Sequence, residues 1–392
     1  MTLDRRIGAL LLTGIACTLT CLGPGSQAAD WSLSPSLEIG GEYNSDVLLS
    51  SEGNFEDYIF RGKPALQVLG MTQKTKFLFD SVLIGEKYFQ EPGFDTVDTN
   101  TRVSLSHQWT PSLSTDLSTT FVKDTTLETE LEAAGLQTAR SDRFQYGLDL
   151  SSSISLSETA SLGLSGSAEK SDYPDGQYPE ELSWEAGLNP AWMFSPANTL
   201  GLNTFYSSSD YEDSSTVRTV SAVLYWLHDW SEKDHFTLGG GYFHTWNEIK
   251  EPNLETTDDG FLFNLEFNRA WTESFSTVLS AGRDQYDSVD ARSVTRNYAR
   301  TTLNYVFSPV LSSSCAIGYD FNTQSGTFGE DTHYFRVAPS VRWRLAENVS
   351  LSVSGAYEHS RTEAEVSDDR TDDRYRAWLA LLWQWPRLLA SN

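Results

Sequence analysis

The stretch Arg374 to Trp385 reads RYRAWLALLWQW, and its two sets of alternate residues differ in character. Tyr375, Ala377, Leu379, Leu381, Trp383 and Trp385 form an apolar set that ends in two aromatics. Arg374, Arg376, Trp378, Ala380, Leu382 and Gln384 form the other, which begins with two arginines. A period of two puts alternate residues on opposite faces of a strand. An apolar face about ten residues long with an aromatic end is what a transmembrane β-strand needs. A sheet built from such strands must close on itself, because an open edge in lipid leaves backbone N–H and C=O groups unpaired.

Alternating runs recur from residue 32 to the end, joined by two kinds of connection. The short kind leads with an aromatic or Leu, then a small residue, then Pro or Glu: Trp109-Thr110-Pro111, Leu156-Ser157-Glu158, Phe194-Ser195-Pro196, Trp230-Ser231-Glu232, Trp271-Thr272-Glu273, Phe307-Ser308-Pro309 and Leu345-Ala346-Glu347. Successive leading residues are 47, 38, 36, 41, 36 and 38 positions apart, and Trp383 follows 38 later. That repeat is one β-hairpin with its connections. The other connections are longer and polar or acidic, as in Tyr43–Glu56, Gln90–Asp98, Thr125–Arg140, Asp172–Glu180, Lys250–Asp259, Thr323–Asp331 and Arg361–Asp373. Short turns on one side and long loops on the other are the asymmetry of outer-membrane barrels. The expected strands are 32–42, 57–69, 74–87, 99–110, 113–125, 141–154, 159–171, 181–194, 199–212, 215–228, 235–248, 259–271, 275–287, 294–307, 312–322, 332–345, 348–360 and 372–385. The fold class is therefore all-β, a transmembrane antiparallel β-barrel of eighteen strands, with sixteen as the alternative.

The bulk numbers agree without deciding. Mean hydropathy is −0.37, which an alternating barrel produces because lumen residues offset lipid-facing ones in any window. The net charge of −26 argues against nucleic acid or anionic lipid held by a basic patch. Arg5 and Arg6, the apolar run Ile7 to Leu22 and Ser26-Gln27-Ala28 predict a signal peptide over 1–28 and a single barrel domain over 29–392. Cys17 and Cys21 fall in the signal, so Cys315 stands alone. The six histidines lack metal-ligand spacing, and no nucleophile and base can be placed together on one face. No enzyme, metal or cofactor is expected. Asp258, Asp259, Asp368, Asp369, Asp372 and Asp373 read as solvated loop charge rather than a cation site. The expected location is the outer membrane of a Gram-negative bacterium, beside lipopolysaccharide.

Alternation also sorts lumen from lipid. Arg336, Arg342 and Arg344 fall inside one strand, Glu266 inside another, and Arg296, Tyr298 and Arg300 inside a third. Arg374, Arg376 and Trp378 join them from the last strand. Downward strands carry arginines early and upward strands carry Asp284, Asp320 and Glu358 late, so both sets lie near the outer end on adjacent strands. Cross-strand ion pairs would stiffen a wet wall. The same groups could guide a polar polymer. Both readings are compatible.

The first hairpin resembles a known family. Pro35-Ser36-Leu37-Glu38-Ile39-Gly40-Gly41-Glu42-Tyr43-Asn44-Ser45-Asp46-Val47, then Asp57-Tyr58-Ile59-Phe60, Pro64-Ala65-Leu66, Phe77-Leu78-Phe79-Asp80 and Tyr88, resembles the β-barrel porins of exopolysaccharide gene clusters. Ser45 between Asn44 and Asp46 departs from the usual order of the polar pair. The likeness covers about the first 60 residues after the signal. It implies a pore that exports a secreted polysaccharide together with periplasmic components of an export machinery, as a monomer. The size is similar to the alginate-export barrel, but the lumen here is mixed in sign, which implies a neutral or weakly charged polymer. A general diffusion porin or small-solute channel is the alternative.

Overall fold

A computed structural model of the chain describes residues 30–49, 55–126, 140–250, 254–289, 293–324, 330–364 and 369–391. The expected signal peptide lies outside these residues. The strands are β1 (Asp30–Asn44), β2 (Asp57–Met71), β3 (Thr75–Tyr88), β4 (Thr96–Thr110), β5 (Leu113–Thr125), β6 (Asp142–Ser155), β7 (Ala160–Asp172), β8 (Glu181–Ser195) and β9 (Asn198–Tyr211). They continue as β10 (Ser215–Ser231), β11 (Asp234–Ile249), β12 (Leu254–Ala270), β13 (Phe275–Asp287), β14 (Ser293–Ser308), β15 (Leu311–Gln324), β16 (Glu330–Ala346), β17 (Val349–Ala364), β18 (Arg370–Gln384) and the short β19 (Leu388–Ser391).

From β1 to β18 each strand pairs antiparallel with the next, and β1 pairs with β18 in the register Leu37↔Trp383 and Glu42↔Trp378. β19 continues the stave of β18 along β1, with Trp31 opposite Ala390. The result is a closed barrel of eighteen staves, each hydrogen-bonded to a neighbour on both sides, as lipid demands, and only at the long-loop end does β12 run past β13, where Leu254 to Leu262 pair with β11 alone. All eighteen expected strands are present. β12 begins at Leu254 rather than 259 and β17 runs to Ala364 rather than 360, so the loops expected at Lys250–Asp259 and Arg361–Asp373 are shorter. Thr256, Thr257, Asp258 and Asp259 look like loop residues, but pairing with β11 overrides that local preference.

The short-turn motif has a mechanical explanation. Trp109, Phe194, Trp230, Phe307 and Leu345 each sit where the hairpin register shifts, at a β-bulge that re-aims one side chain. All seven leading residues are exposed and form a girdle at the short-turn end. The small residue that follows closes the turn. Ser157 Oγ accepts N–H bonds from Thr159 and Ala160, Thr272 Oγ1 from Ser274 and Phe275, and Ser308 Oγ from Val310 and Leu311. Trp109 and Trp271 donate their indole N–H groups to Thr115 and Thr277 across the turn.

The outer wall is apolar. Tyr375, Leu379, Leu381 and Trp383 on β18 are exposed, whereas Arg374, Arg376 and Ala380 between them are buried. Leu379→Arg therefore puts a charge near the middle of the lipid face. The expected cost is about 2–4 kcal/mol, read as a lower urea midpoint of the reconstituted barrel. An unchanged midpoint would show that this face does not meet lipid.

The dry core sits in an unusual place. Buried apolar side chains gather at the long-loop end, which is the outer side in barrels of this kind. Val47 packs on Ile59 and Tyr88 with Phe55 and Phe94, Leu49 packs on Tyr334, and Tyr211 packs on Val217. Apart from Ala356 and Ala380, the middle and the short-turn half of the wall contribute no such residues among those described. The barrel is thus packed at its outer mouth and open below.

Candidate functional site: the lumen

The lumen wall divides into two chemically different halves. On β13 to β18 the charges near the long-loop end are arginines matched to carboxylates of an adjacent strand. Register sets Arg296 opposite Asp284, and the pair is bidentate at 3.0 and 2.6 Å. Arg300 donates to Asp320 at 2.8 Å. Tyr298 lies between the two guanidiniums, with cation–π separations of 5.4 and 5.2 Å. Glu358, fully buried, takes Arg374 through a close hydrogen bond, Arg376 at 2.6 Å and Arg336 at 3.4 Å. Arg376 also stacks over Trp378 at 5.7 Å.

This network crosses the seam where the barrel closes. Arg376 lies 4.0 Å from Glu42 on β1, Glu42 is 3.1 Å from Arg61 on β2, and Arg61 is 2.5 Å from Glu86 on β3. The structure therefore joins Arg296, Tyr298, Arg300, Arg336, Arg374, Arg376, Trp378, Asp284, Asp320 and Glu358 into two neighbouring clusters near the outer mouth. Three expected residues lie apart. Arg342 and Arg344 are exposed near the short turns, opposite Ser352 and Ser350, and form no ion pair among the described residues. Glu266 on β12 is exposed and accepts a hydrogen bond from Asn268 at 2.6 Å.

The other half, β4 to β9, was not singled out from the sequence. Its inward positions are mainly serines and acids. A cleft of about 430 Å³ on this wall is lined by Arg102, Ser104, Asp116, Ser118, Asp149, Ser165, Ser167 and Glu185, among others. A second, of about 260 Å³, shares Asp149, Ser167 and Glu185 and extends to Ser183 and Ser207. Ser118 donates to Asp149 at 3.0 Å. The mixed sign of the lumen is therefore a segregation: self-paired arginines face a serine and carboxylate wall.

The first loop enters the mouth. Asn44 Oδ1 accepts the N–H of Asp46, and Asp46 Oδ1 that of Leu48, turns that bend the chain inward. Arg374 Nη1 donates to the Val47 carbonyl at 3.4 Å, and Ser45 and Tyr375 exchange bonds at 3.0 and 2.8 Å. Leu49, at φ +48°, ends fully buried on Tyr334. Asp57 accepts N–H bonds from Phe89, Gln90 and Glu91 and so holds the second loop. In that loop, a hydrogen bond from Lys87 and another from the Tyr88 N–H hold the Asp95 carboxyl below the usual carboxylate range.

No family model matches the chain, and no curated protein matches it. Solved structures do. OccK2 (OpdF) of Pseudomonas aeruginosa superposes with a TM-score of 0.50 at 11% identity, over 90% of this chain and 98% of that one. The FrpB iron transporter of Neisseria meningitidis, F3-3 variant, gives 0.50 at 9% identity, over 91% of this chain and 81% of that one. The chain has an outer-membrane β-barrel fold. At such identities the likeness is one of fold alone. Among the described residues, no group of His, Cys, Asp or Glu is arranged to hold a metal ion.

Proposed function

We propose that the protein is an outer-membrane pore for a neutral or weakly charged saccharide polymer, exported with separate periplasmic components. The observation that carries this reading is the state of the lumen charges. The arginines at the outer mouth are occupied by Asp284, Asp320, Glu358 and Glu42, so among the described residues the mouth offers no free row of guanidiniums to an anionic chain, and the unpaired Arg342 and Arg344 lie at the short-turn end. A wall of hydroxyls suits a polymer of hydroxyls, since each serine both donates and accepts. The first-hairpin resemblance supports the outward direction. Deleting the gene is expected to abolish secreted polymer while leaving its intracellular synthesis intact. Unchanged secretion would sink the export reading.

A second reading, a channel for small solutes, draws on the packed outer mouth. Leu49 on Tyr334 and Val47 on Ile59 narrow the opening. Single-channel recording separates the two. Brief, polymer-specific blockades support export, whereas steady conductance that ignores oligosaccharides supports the small-solute channel.

A further inference from the structure

The serine wall carries aromatic rings held in one particular way. Phe205 on β9 faces Gly187 on β8, and Tyr225 on β10 faces Gly201 on β9. A methyl placed on Gly187 would meet the Ser165 hydroxyl first and then one side of the Phe205 ring, and one on Gly201 would overlap the tip of Tyr225. Neighbouring strands are about 4.8 Å apart. An aromatic side chain that reaches the glycine of the next strand leans along the wall, and what it leaves uncovered is open to the lumen. Phe205 and Tyr225 both remain partly exposed. Gly201 is four residues from Phe205 on one strand and on the same face, so the two platforms are about 13 Å apart.

Polar groups flank the first platform. Ser207 and Glu185 pair directly in register and line the smaller cleft, one inward step from Phe205 and Gly187. Two atoms there, Ser165 Oγ and Asn189 Oδ1, are buried and have no hydrogen-bond partner among the described residues. The groups an incoming hydroxyl can reach are the partly exposed Glu185 and Ser207. A flat apolar ring beside carboxylates and hydroxyls matches a sugar ring, which presents an apolar C–H face and a polar rim. Asp149 and Glu185 repel a chain that carries its own carboxylates.

We propose that the β7–β10 face of the lumen is a saccharide-binding track. Phe205 and Tyr225 are its stacking platforms, Glu185, Asp149 and the serines bond the hydroxyls, and the sugar it takes has no carboxylate. The inference rests on the pore reading and names the ligand of that pore. It also moves the polymer path from the arginine half to the opposite wall.

The test is calorimetry on the full chain folded in lauryldimethylamine oxide, since a maltoside detergent would compete. Maltohexaose is the neutral probe and oligogalacturonate the acidic one. Wild type is expected to bind maltohexaose and to reject oligogalacturonate. Phe205→Ala is expected to weaken maltohexaose roughly tenfold and Phe205→Trp to retain it. Gly187→Ala, whose methyl crowds both the Ser165 hydroxyl and the Phe205 ring, should weaken maltohexaose as well. Glu185→Gln, nearly isosteric, should weaken maltohexaose and admit oligogalacturonate even if the Phe205 variant folds poorly. Undiminished binding by Phe205→Ala and Glu185→Gln, no binding by wild type, or preference for oligogalacturonate would overturn the track. Failure of export appears separately, as normal secretion by the deletion strain.

Discussion

Glu358→Ala is expected to lower the stability of the folded barrel by about 3–5 kcal/mol, the cost of leaving buried charges uncompensated. Arg374 is 2% exposed and Arg376 7% exposed, and Glu358 is the carboxylate both hydrogen-bond. Without it, two guanidiniums remain in the wall with little water and without the carboxylate that both hydrogen-bond. Register deepens the effect. The network ties β17 and β18 to β1, and the pairing of Glu42 with Trp378 closes the chain over its whole length. Closing so long a loop is entropically expensive, so interactions at the seam are felt in overall stability. The measurement is a urea titration of the reconstituted barrel, with unheated gel mobility as the readout of folding. Glu358→Gln should fall between, because it keeps an acceptor and loses the charge. Arg336→Ala should cost less than about 1 kcal/mol, since Arg336 is partly exposed and lies 3.4 Å from Glu358. Arg374→Ala with Arg376→Ala should unfold the barrel more readily than it alters passage. If Glu358→Ala keeps the wild-type midpoint, the cluster is not a structural clamp, and a role toward the polymer regains its place.

The wall was legible in the sequence because lipid and water impose the same period on every strand. Trp109, Trp230 and Phe307 marked the turns so regularly because each fills a bulge and anchors the same interface. Arg296 and Asp284 could be placed side by side for the same reason, since alternation fixes the face and hairpin length fixes the height. The serine wall escaped notice because Ser165 and Ser167 carry neither charge nor apolar bulk, so they leave little contrast in an alternating pattern. The first loop escaped for a different reason. Asn44, Ser45 and Asp46 read as solvent-seeking, yet they spend their side chains bending the chain so that Val47 and Leu49 can be buried. Nothing in local composition says that Leu49 will meet Tyr334, which lies some 285 residues away in sequence and three strands around the wall. The motif residues of the first hairpin thus acquire a physical role, because Asn44, Asp46 and Asp57 shape the outer mouth.

Tyr334→Ala is expected to open that mouth. Leu49 is held at φ +48°, which costs a non-glycine residue about 1–2 kcal/mol. Its burial on Tyr334 returns about 1.5–3 kcal/mol, so the contact outweighs the strain by a small margin. Removing the ring takes away the seat and leaves the strain. A shift of about 2 kcal/mol changes the ratio of seated to released loop roughly thirtyfold. The barrel itself should stand, because Tyr334 faces the lumen and the ladder from β15 to β17 does not depend on its side chain. The expected result is a larger unitary conductance in planar bilayers, with a urea midpoint close to wild type. Leu49→Gly supplies the opposite balance. It loses the burial but also the strain, since glycine accepts a positive φ freely, so its conductance should change less. Equal conductance for Tyr334→Ala and wild type would mean that the first loop does not set the width of the pore, and the constriction would then have to lie lower, between the arginine clusters and the serine wall.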